Sequence, residues 1–572
     1  MTIVAAATPR EFPRQFLPET ANLTAWEAIQ PHYEELRGRS IDTRADLEKW
    51  LLDLSELQAA ISEEYTRRYI AMTCHTDDPA LEKAYLDYLE NVLPKTQVEM
   101  FEINRKFLSS PACAELPQDR YHVYERACRN EVDIFREENV ALKTEDDILA
   151  QSYQKIYGEM MVEFDGREQT MPQMARYQEE TDRGLRERAW LAATRRQLAD
   201  RGRIEEILDK MLVLRHRIAG NAGFGNFVDY QFRSYNRFDY TPADCHEFHR
   251  TVEKIVVPLR LKLLERRRRQ LGIETLAPWD LAVDPQGRPP LRPFETPEQL
   301  SEGTAKIFDA VDPRLCADFE ILRSRNLLDL DSRKGKAPGG YQSSLEEARL
   351  PFIFMNATGR NNDVFTLLHE GGHAFHALAA RTEPLVSYRS APIEFCEVAS
   401  MGMEMMACEK LDSMYDAPSA QRAREMHIES VVTLLPWVMR IDAFQHWLYA
   451  NPDHSRLDRE QQWLDLDARF GDALDWSALP EWQRCSWYSK LHIFCCPLYY
   501  IEYAIAQVGA LQLWCRYLDD PKAAVEGYRA ALALGGSRPL PELFAAAGIR
   551  FAFDEATVTP LVARAASALG LE

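Results

Sequence analysis

No run of this 572-residue chain approaches the roughly 18 uninterrupted apolar residues that a membrane-crossing helix needs. Met1–Arg10 has no basic patch followed by an apolar stretch, so no secretory signal is expected there. Positive charge is in short supply: 68 Lys and Arg stand against 89 Asp and Glu, for a formal charge of −21. That balance argues against nucleic acid or an anionic membrane as the main partner. The run Arg266-Arg267-Arg268-Arg269 then reads as a solvated helix face. The eleven cysteines contain no C-x-x-C pair and no regular framework, only the vicinal Cys495-Cys496. Reduced, mostly buried thiols in a cytoplasmic protein are expected. There is also no internal repeat at a fixed period.

A hydrophobic content of 46% lets a chain of this length bury a large core, in one lobe or two fused ones. From Leu23 to about Ile218 the text is helical almost throughout, as in Leu47–Met72, Pro79–Phe107 and Thr181–Arg201. Asp165-Gly166 interrupts it and predicts a small hairpin. We expect a mainly α protein with residues 1–200 as an N-terminal helical lobe without catalytic signature, and the chemistry in 201–572. A helix is expected over Pro242–Leu271, and the proline-rich stretch from Pro278-Trp279-Asp280 to Pro297 reads as an internal surface connection. Leu327–Asp331 and Pro351–Asn356 are the best strand candidates. The basic glycine loop between them, Ser332–Tyr341, invites a phosphate-binding reading. It lacks the G-x-x-x-x-G-K-[ST] spacing, and a short sheet accounts for it better.

The stretch that carries chemistry is Asn362 to His376. Its centre, His369-Glu370-Gly371-Gly372-His373, has the H-E-x-x-H spacing of zinc hydrolases. On a helix, positions i and i+4 lie one above the other, so two imidazoles there can grip one ion. Glu370 points to the same groove without occupying a ligand direction, and can hold a proton taken from an activated water. A helix is expected because Asn361, Asn362 and Asp363 supply cap and first-turn residues. Val364, Leu367, Leu368, Phe375 and Leu378 then form an apolar stripe opposite Thr366, His369, His373 and His376. A chance match of the five-residue pattern would also have to explain that cap and stripe. Gly371 and Gly372 cost about 1 kcal/mol each in helix propensity, and close approach of another backbone is the expected reason for them.

A third ligand is expected from the next helical pattern, which opens at Pro392. Glu394, Glu397 and Glu404 share much of one face there, and the residues around them (Phe395, Val398, Met401, Met403) are apolar. Carboxylates on so buried a helix need a partner. A helix returning antiparallel would bring that face onto the two histidines. His427 and His446, farther on, read as core or edge histidines.

His369-Glu370-Gly371-Gly372-His373-Ala374-Phe375-His376, followed by Glu394-Phe395-Cys396-Glu397-Val398-Ala399-Ser400, resembles the thimet oligopeptidase and oligoendopeptidase F family of zinc peptidases. The resemblance implies one Zn²⁺ per chain on His369, His373 and Glu397, with Glu370 as general base. It matches His376 to the family's extra histidine and puts Glu404 where a supporting carboxylate is useful. It also singles out Tyr503, then Tyr500, as groups acting on the substrate carbonyl, with His492 offset by one residue from the family pattern. The implied fold is a large helical bowl of two lobes around a deep cleft, with a small β-sheet beside the H-E-x-x-H helix. The implied activity is endopeptidase action on short unfolded peptides, whose backbone an exposed strand edge could take up as an added strand. Two other readings stay open: a zinc carboxypeptidase or dipeptidase on a related helical fold, and a catalytically inactive peptide-binding protein.

Overall fold

The computed structural model describes residues 11–333, 335–337 and 339–571. The Met1–Arg10 expectation, and Lys334 and Pro338 of the basic loop, fall outside them. Five helices carry the account: α1 (Pro242–Leu271), α2 (Asn361–Ala380), α3 (Ile393–Ala407), α4 (Ala417–Ala450) and α5 (Ile501–Asp519). The strands among the described residues are β1 (Met161–Phe164), β2 (Arg167–Thr170), β3 (Leu328–Asp331), β4 (Tyr341–Leu345) and β5 (Leu350–Ala357). The protein is mainly α, as expected. No helix among the described residues is long and apolar enough to cross a membrane.

Packing divides the described residues into two compact units, each gathered from three stretches of chain. One takes the residues up to Asp133, Arg292–Arg424 and Gly509–Phe551; the other takes Ile134–Leu291, Glu425–Val508 and the residues from Ala552 onward. The units are interleaved along the sequence, a different division from one cut at residue 200.

In the first unit, the helix Arg44–Cys74 is started by a reciprocal cap between Thr43 and Asp46. It buries Leu47, Trp50, Leu51, Leu54 and Leu57 in a cluster that Leu385 and Tyr388 also join. The stretch read as helical over Pro79–Phe107 is two helices, Pro79–Asn91 and Leu93–Ser109. The break comes at Val92, because Pro94 lacks the N–H that a continuous helix would use.

The same unit holds the sheet β3-β5-β4, with β5 parallel to β3 and antiparallel to β4. Both expected strands are present, and β5 packs on α2. β4 was not expected: Tyr-Gln-Ser-Ser-Leu has no β-branched residue, and its pairing with β5 decides its state. The basic loop is structural where described. Lys336 has no exposed side-chain surface, and its ammonium lies 2.8 Å from Asp329 Oδ1 and 2.6 Å from the Met355 carbonyl. Such a cation is neutralised from within.

In the second unit, β1 and β2 form the expected hairpin, turning through Asp165 and Gly166 with φ of 55° and 70°. Two left-handed residues in a two-residue loop match the twist of the flanking strands. α1 starts on a Thr241–Asp244 cap and stops at Gly272 in the left-handed region. The Pro278-Trp279-Asp280 element is a buried pin. Asp280 has no exposed surface; it takes Arg183 at 2.8 Å, Arg186 at 2.9 Å and the Ala277 N–H at 3.0 Å.

Candidate active site

α2 begins where Asp363, in the first turn, accepts hydrogen bonds from the N–H groups of Thr358 (2.7 Å) and Arg360 (2.9 Å). That closes the strand-to-helix corner after β5 and sets the rotation of the helix. His369 and His373 then stack one turn apart, their ring centres 4.9 Å from each other. The two glycines do what close packing requires. A Cβ on Gly371 would lie 2.6 Å from Phe308 Cζ, and one on Gly372 would lie 2.5 Å from the Ala399 carbonyl oxygen. A side chain at Gly372 would run into the α3 backbone, so α3 can settle onto α2 only over that glycine, while Gly371 leaves room for the Phe308 ring.

Contacts descend α3 as they ascend α2: His369 meets Glu404, His373 meets Glu397 and His376 meets Phe395. The helices are therefore antiparallel, as the sequence led us to expect. Glu397 Oε2 lies 3.4 Å from His369 Nε2 and 3.8 Å from His373 Nε2, and the three donor atoms lie within 4.8 Å of one another. Ligands about 2.1 Å from one tetrahedral ion stand roughly 3.4 Å apart, so this donor set fits zinc. Glu394 is buried in the same helix but is not in that group. His369 Nδ1 donates to Glu404 Oε1 at 2.6 Å, which turns Nε2 toward the ligand position.

The electrostatics suit a cation. Burial would lower His369, yet Glu397 and Glu404 hold it well above the usual imidazole range. Burial would raise Glu397, but His369 and His373 hold it down near 2. Burial pushes His373 down to about 4, leaving a neutral imidazole of the kind metals take. Glu370 is pushed up to about 7 by burial, with His369 opposing and Glu397 adding to the rise. A carboxyl there exchanges protons near neutral pH.

His376 departs from its expected place on the polar face. It is buried, its Nε2 has no hydrogen-bond partner, and it lines a cavity of about 60 Å³ with His373, Gln342, Ser344, Arg349 and Arg389. Gln342 and Ser344 lie on β4, the outer strand of the sheet.

His492, Tyr500 and Tyr503 belong to the second unit, where they form one aromatic cluster. The His492 ring centre is 4.8 Å from that of Tyr500 and 5.7 Å from that of Tyr503, and the two tyrosines are 5.2 Å apart. Tyr500 sits one residue before α5, in the turn, while Tyr503 is in its first turn and half-buried. The turn is held in an unusual backbone state: Leu498 has φ of 63°, a conformation costing about 1–3 kcal/mol for a side chain of this kind. Its N–H donates to Gln445 Oε1 at 2.8 Å, and its carbonyl accepts from Arg237 at 2.7 Å. Arg237 in turn pairs with Glu502 at 2.6 Å, both buried. Sequence reasoning missed Lys490, whose ammonium donates to Tyr500 Oη at 2.7 Å and which burial pushes down to about 8. A lysine set between Tyr488 and Leu491 in an apolar stretch was the available signal.

A family model described as peptidase family M3 matches residues 176–561, and one described as the peptidase M3 N-terminal domain matches residues 16–135. The first alone spans well over half of the chain. The chain belongs to peptidase family M3. Within M3 its relatives place it in the oligoendopeptidase F-like branch. It is 26% identical over 244 residues to oligopeptidase PepF of Bacillus subtilis (strain 168), covering 39% of this chain and 33% of that protein. It is 22% identical over 381 residues to an oligoendopeptidase F homolog of Borreliella burgdorferi, covering 63% and 61%. The matches thus span about a third to three-fifths of those M3 relatives. A solved structure of PZ peptidase A with an inhibitor superposes with a TM-score of 0.89 at 27% identity, over 98% of both chains.

Proposed function

We propose that this M3 chain is a zinc-dependent endopeptidase that hydrolyses internal bonds of short, unfolded peptides. The observation that carries the reading is the convergence of His369, His373 and Glu397 donor atoms within 4.8 Å, with Glu370 beside them. A divalent ion held there would supply Lewis acidity, polarising the scissile carbonyl and lowering the pKa of water.

The chain's own groups do the rest. Glu370 takes the proton of the attacking water on a carboxylate oxygen and returns it to the leaving amine. Glu404 keeps His369 turned, and Glu397 supplies the negative charge. The Tyr503 phenol donates to the carbonyl oxygen as charge builds there, with Tyr500 and His492 in support. β4, at the end of the sheet order, takes the substrate backbone as an additional strand. The eleven cysteines form no disulfide, which supports a reducing compartment such as the cytoplasm.

The test is a mixed peptide library incubated with the purified protein, with and without chelator, and read by mass spectrometry. Internal cuts that vanish with chelator and return with zinc are expected. Sequential C-terminal loss would make the chain a carboxypeptidase, and stoichiometric zinc without any cut would make it a binding protein. In the same assay Tyr503→Phe is expected to lower kcat by about 10²-fold with little change in KM. An unchanged kcat would return Tyr503 to packing.

A further inference from the structure

The second unit holds another group of metal-binding side chains, on α1 and α4. Cys245 and His249 are four residues apart on α1, and Asp442 and His446 are four apart on α4. Each pair therefore presents both donors on one helix face. His249 Nε2 donates to Asp442 Oδ2 at 2.8 Å, and His446 Nε2 lies 3.3 Å from the same oxygen. Donor atoms of Cys245, Asp442 and His446 all lie within 4.8 Å of one another, and all three residues are buried. We propose that Cys245, Asp442 and His446 bind a second divalent transition ion of the zinc type, which pins α1 to α4, with His249 orienting Asp442.

Four points favour an ion at this position. Asp442 has no exposed surface, and its Oδ1 has no hydrogen-bond partner. A buried carboxylate left half-satisfied is costly. Asp280 in the same unit is equally buried and is held by two arginines and a backbone N–H, whereas the ionic contacts of Asp442 are to the imidazoles of His249 and His446. Charge closes with the ion in place: a thiolate and a carboxylate balance a dication, and the histidines stay neutral. The donor types select the metal, because sulfur and imidazole suit zinc-like ions while calcium and magnesium take oxygen. A path for the ion exists as well. A cavity of about 540 Å³ is lined by His246, His249 and His446, and the ring centre of His246 is 4.7 Å from that of His446. His246 is therefore within reach of the fourth position of a tetrahedral site.

The experiment uses the full chain, stripped with chelator, reloaded with Co²⁺ under reducing conditions and desalted. About two cobalt per chain are expected, with a thiolate-to-cobalt charge-transfer band in the near ultraviolet. The His369, His373 and Glu397 group contains no sulfur and cannot give that band, so its occupancy and the second site's are read separately. Cys245→Ser should abolish the band and lower cobalt from about two equivalents to about one. Glu397→Ala should lose one equivalent and keep the band. Wild-type protein that takes up about one cobalt without the band overturns the proposal. So does a band that survives in Cys245→Ser, which would place the thiolate elsewhere. The band is read on the unmodified chain, so a variant that fails to fold does not leave the question open.

Discussion

Two helix pairs in this molecule carry the same device, two donors four residues apart on one helix and a third on the helix facing it, yet their surroundings differ. On α2 and α3, His369 and His373 keep 23% and 17% of their side-chain surface exposed, and Glu370 stands beside them at a proton affinity near neutrality. On α1 and α4, Asp442 has none exposed and His249 and His446 only 4% and 5%. Spacing alone thus creates the possibility of a metal site. Exposure and a neighbouring acid decide whether the site can do chemistry or only hold the fold. The lesson is that a motif search finds the spacing, while burial assigns the job.

The largest expected effect tests the chemical half of that contrast. Glu370→Gln keeps the shape and removes the proton acceptor, so kcat should fall by about 10²–10⁴-fold. Metal content, measured on the same sample, should not change. Substantial residual turnover at full occupancy would erase the distinction between the two helix pairs.

Next in size is the control for the buried half. Asp280 is the carboxylate satisfied without any metal, and Asp280→Asn should cost about 3–5 kcal/mol at neutral pH. Burial would raise its carboxyl, but Arg183, the Ala277 N–H and Arg186 hold it below the ordinary carboxylate range. The folded value lies below the unfolded one of about 3.9, so the stabilisation is complete above that pH. It is lost as pH falls through the folded value. Urea unfolding of both proteins should show the gap closing on acidification and no effect of chelator on it. A chelator-sensitive gap would mean that Asp280 and Asp442 are not different kinds of buried acid.

Much of the first helix pair could be read from residues alone, and the reasons are local. His369, Glu370 and His373 lie within five consecutive positions, and Glu397 follows on the next helix. The glycine pair, the polar face and the apolar stripe all point to one arrangement. The second pair was not legible, since Cys245 and Asp442 are separated by nearly two hundred residues and each helix shows only an ordinary pair. His446 was accordingly read as a core histidine. The interleaving of the two units was hidden for the same physical reason, since it depends on contacts between distant stretches; β4 was hidden because its polar, unbranched residues carry little strand signal of their own and take the strand state by pairing with the adjacent β5. His376 failed differently. Its helical angle put it with the other histidines, but the neighbouring helix covers that angle one turn farther along.

A smaller effect should separate holding a metal from orienting its ligand. Glu404 touches His369 through the nitrogen turned away from Glu397, at 2.6 Å. Glu404→Gln should weaken zinc affinity by about 10–100-fold, measured by competition with a chromophoric chelator. The fold should be unchanged by circular dichroism. An affinity equal to wild type would leave the orientation of His369 to packing alone.

The smallest expected effect asks whether the approach of the two helices is itself tuned. Gly372→Ala puts a methyl group where the Ala399 carbonyl oxygen would be 2.5 Å away and Ser400 Cα 2.6 Å away. Both obstacles are backbone, so neither can swing aside, and α3 must shift. Overpacking of this kind costs about 1–3 kcal/mol. The shift also moves Glu397, three residues before Ser400 and hydrogen-bonded to its hydroxyl at 3.0 Å. Zinc affinity should therefore fall together with thermal stability. An alanine at Gly220, where nothing lies within 4 Å of the added carbon, should lower neither and should recover helix propensity of up to about 1 kcal/mol. If Gly372→Ala loses stability but keeps full zinc affinity, the close contact serves the core of its unit and not the convergence of donors.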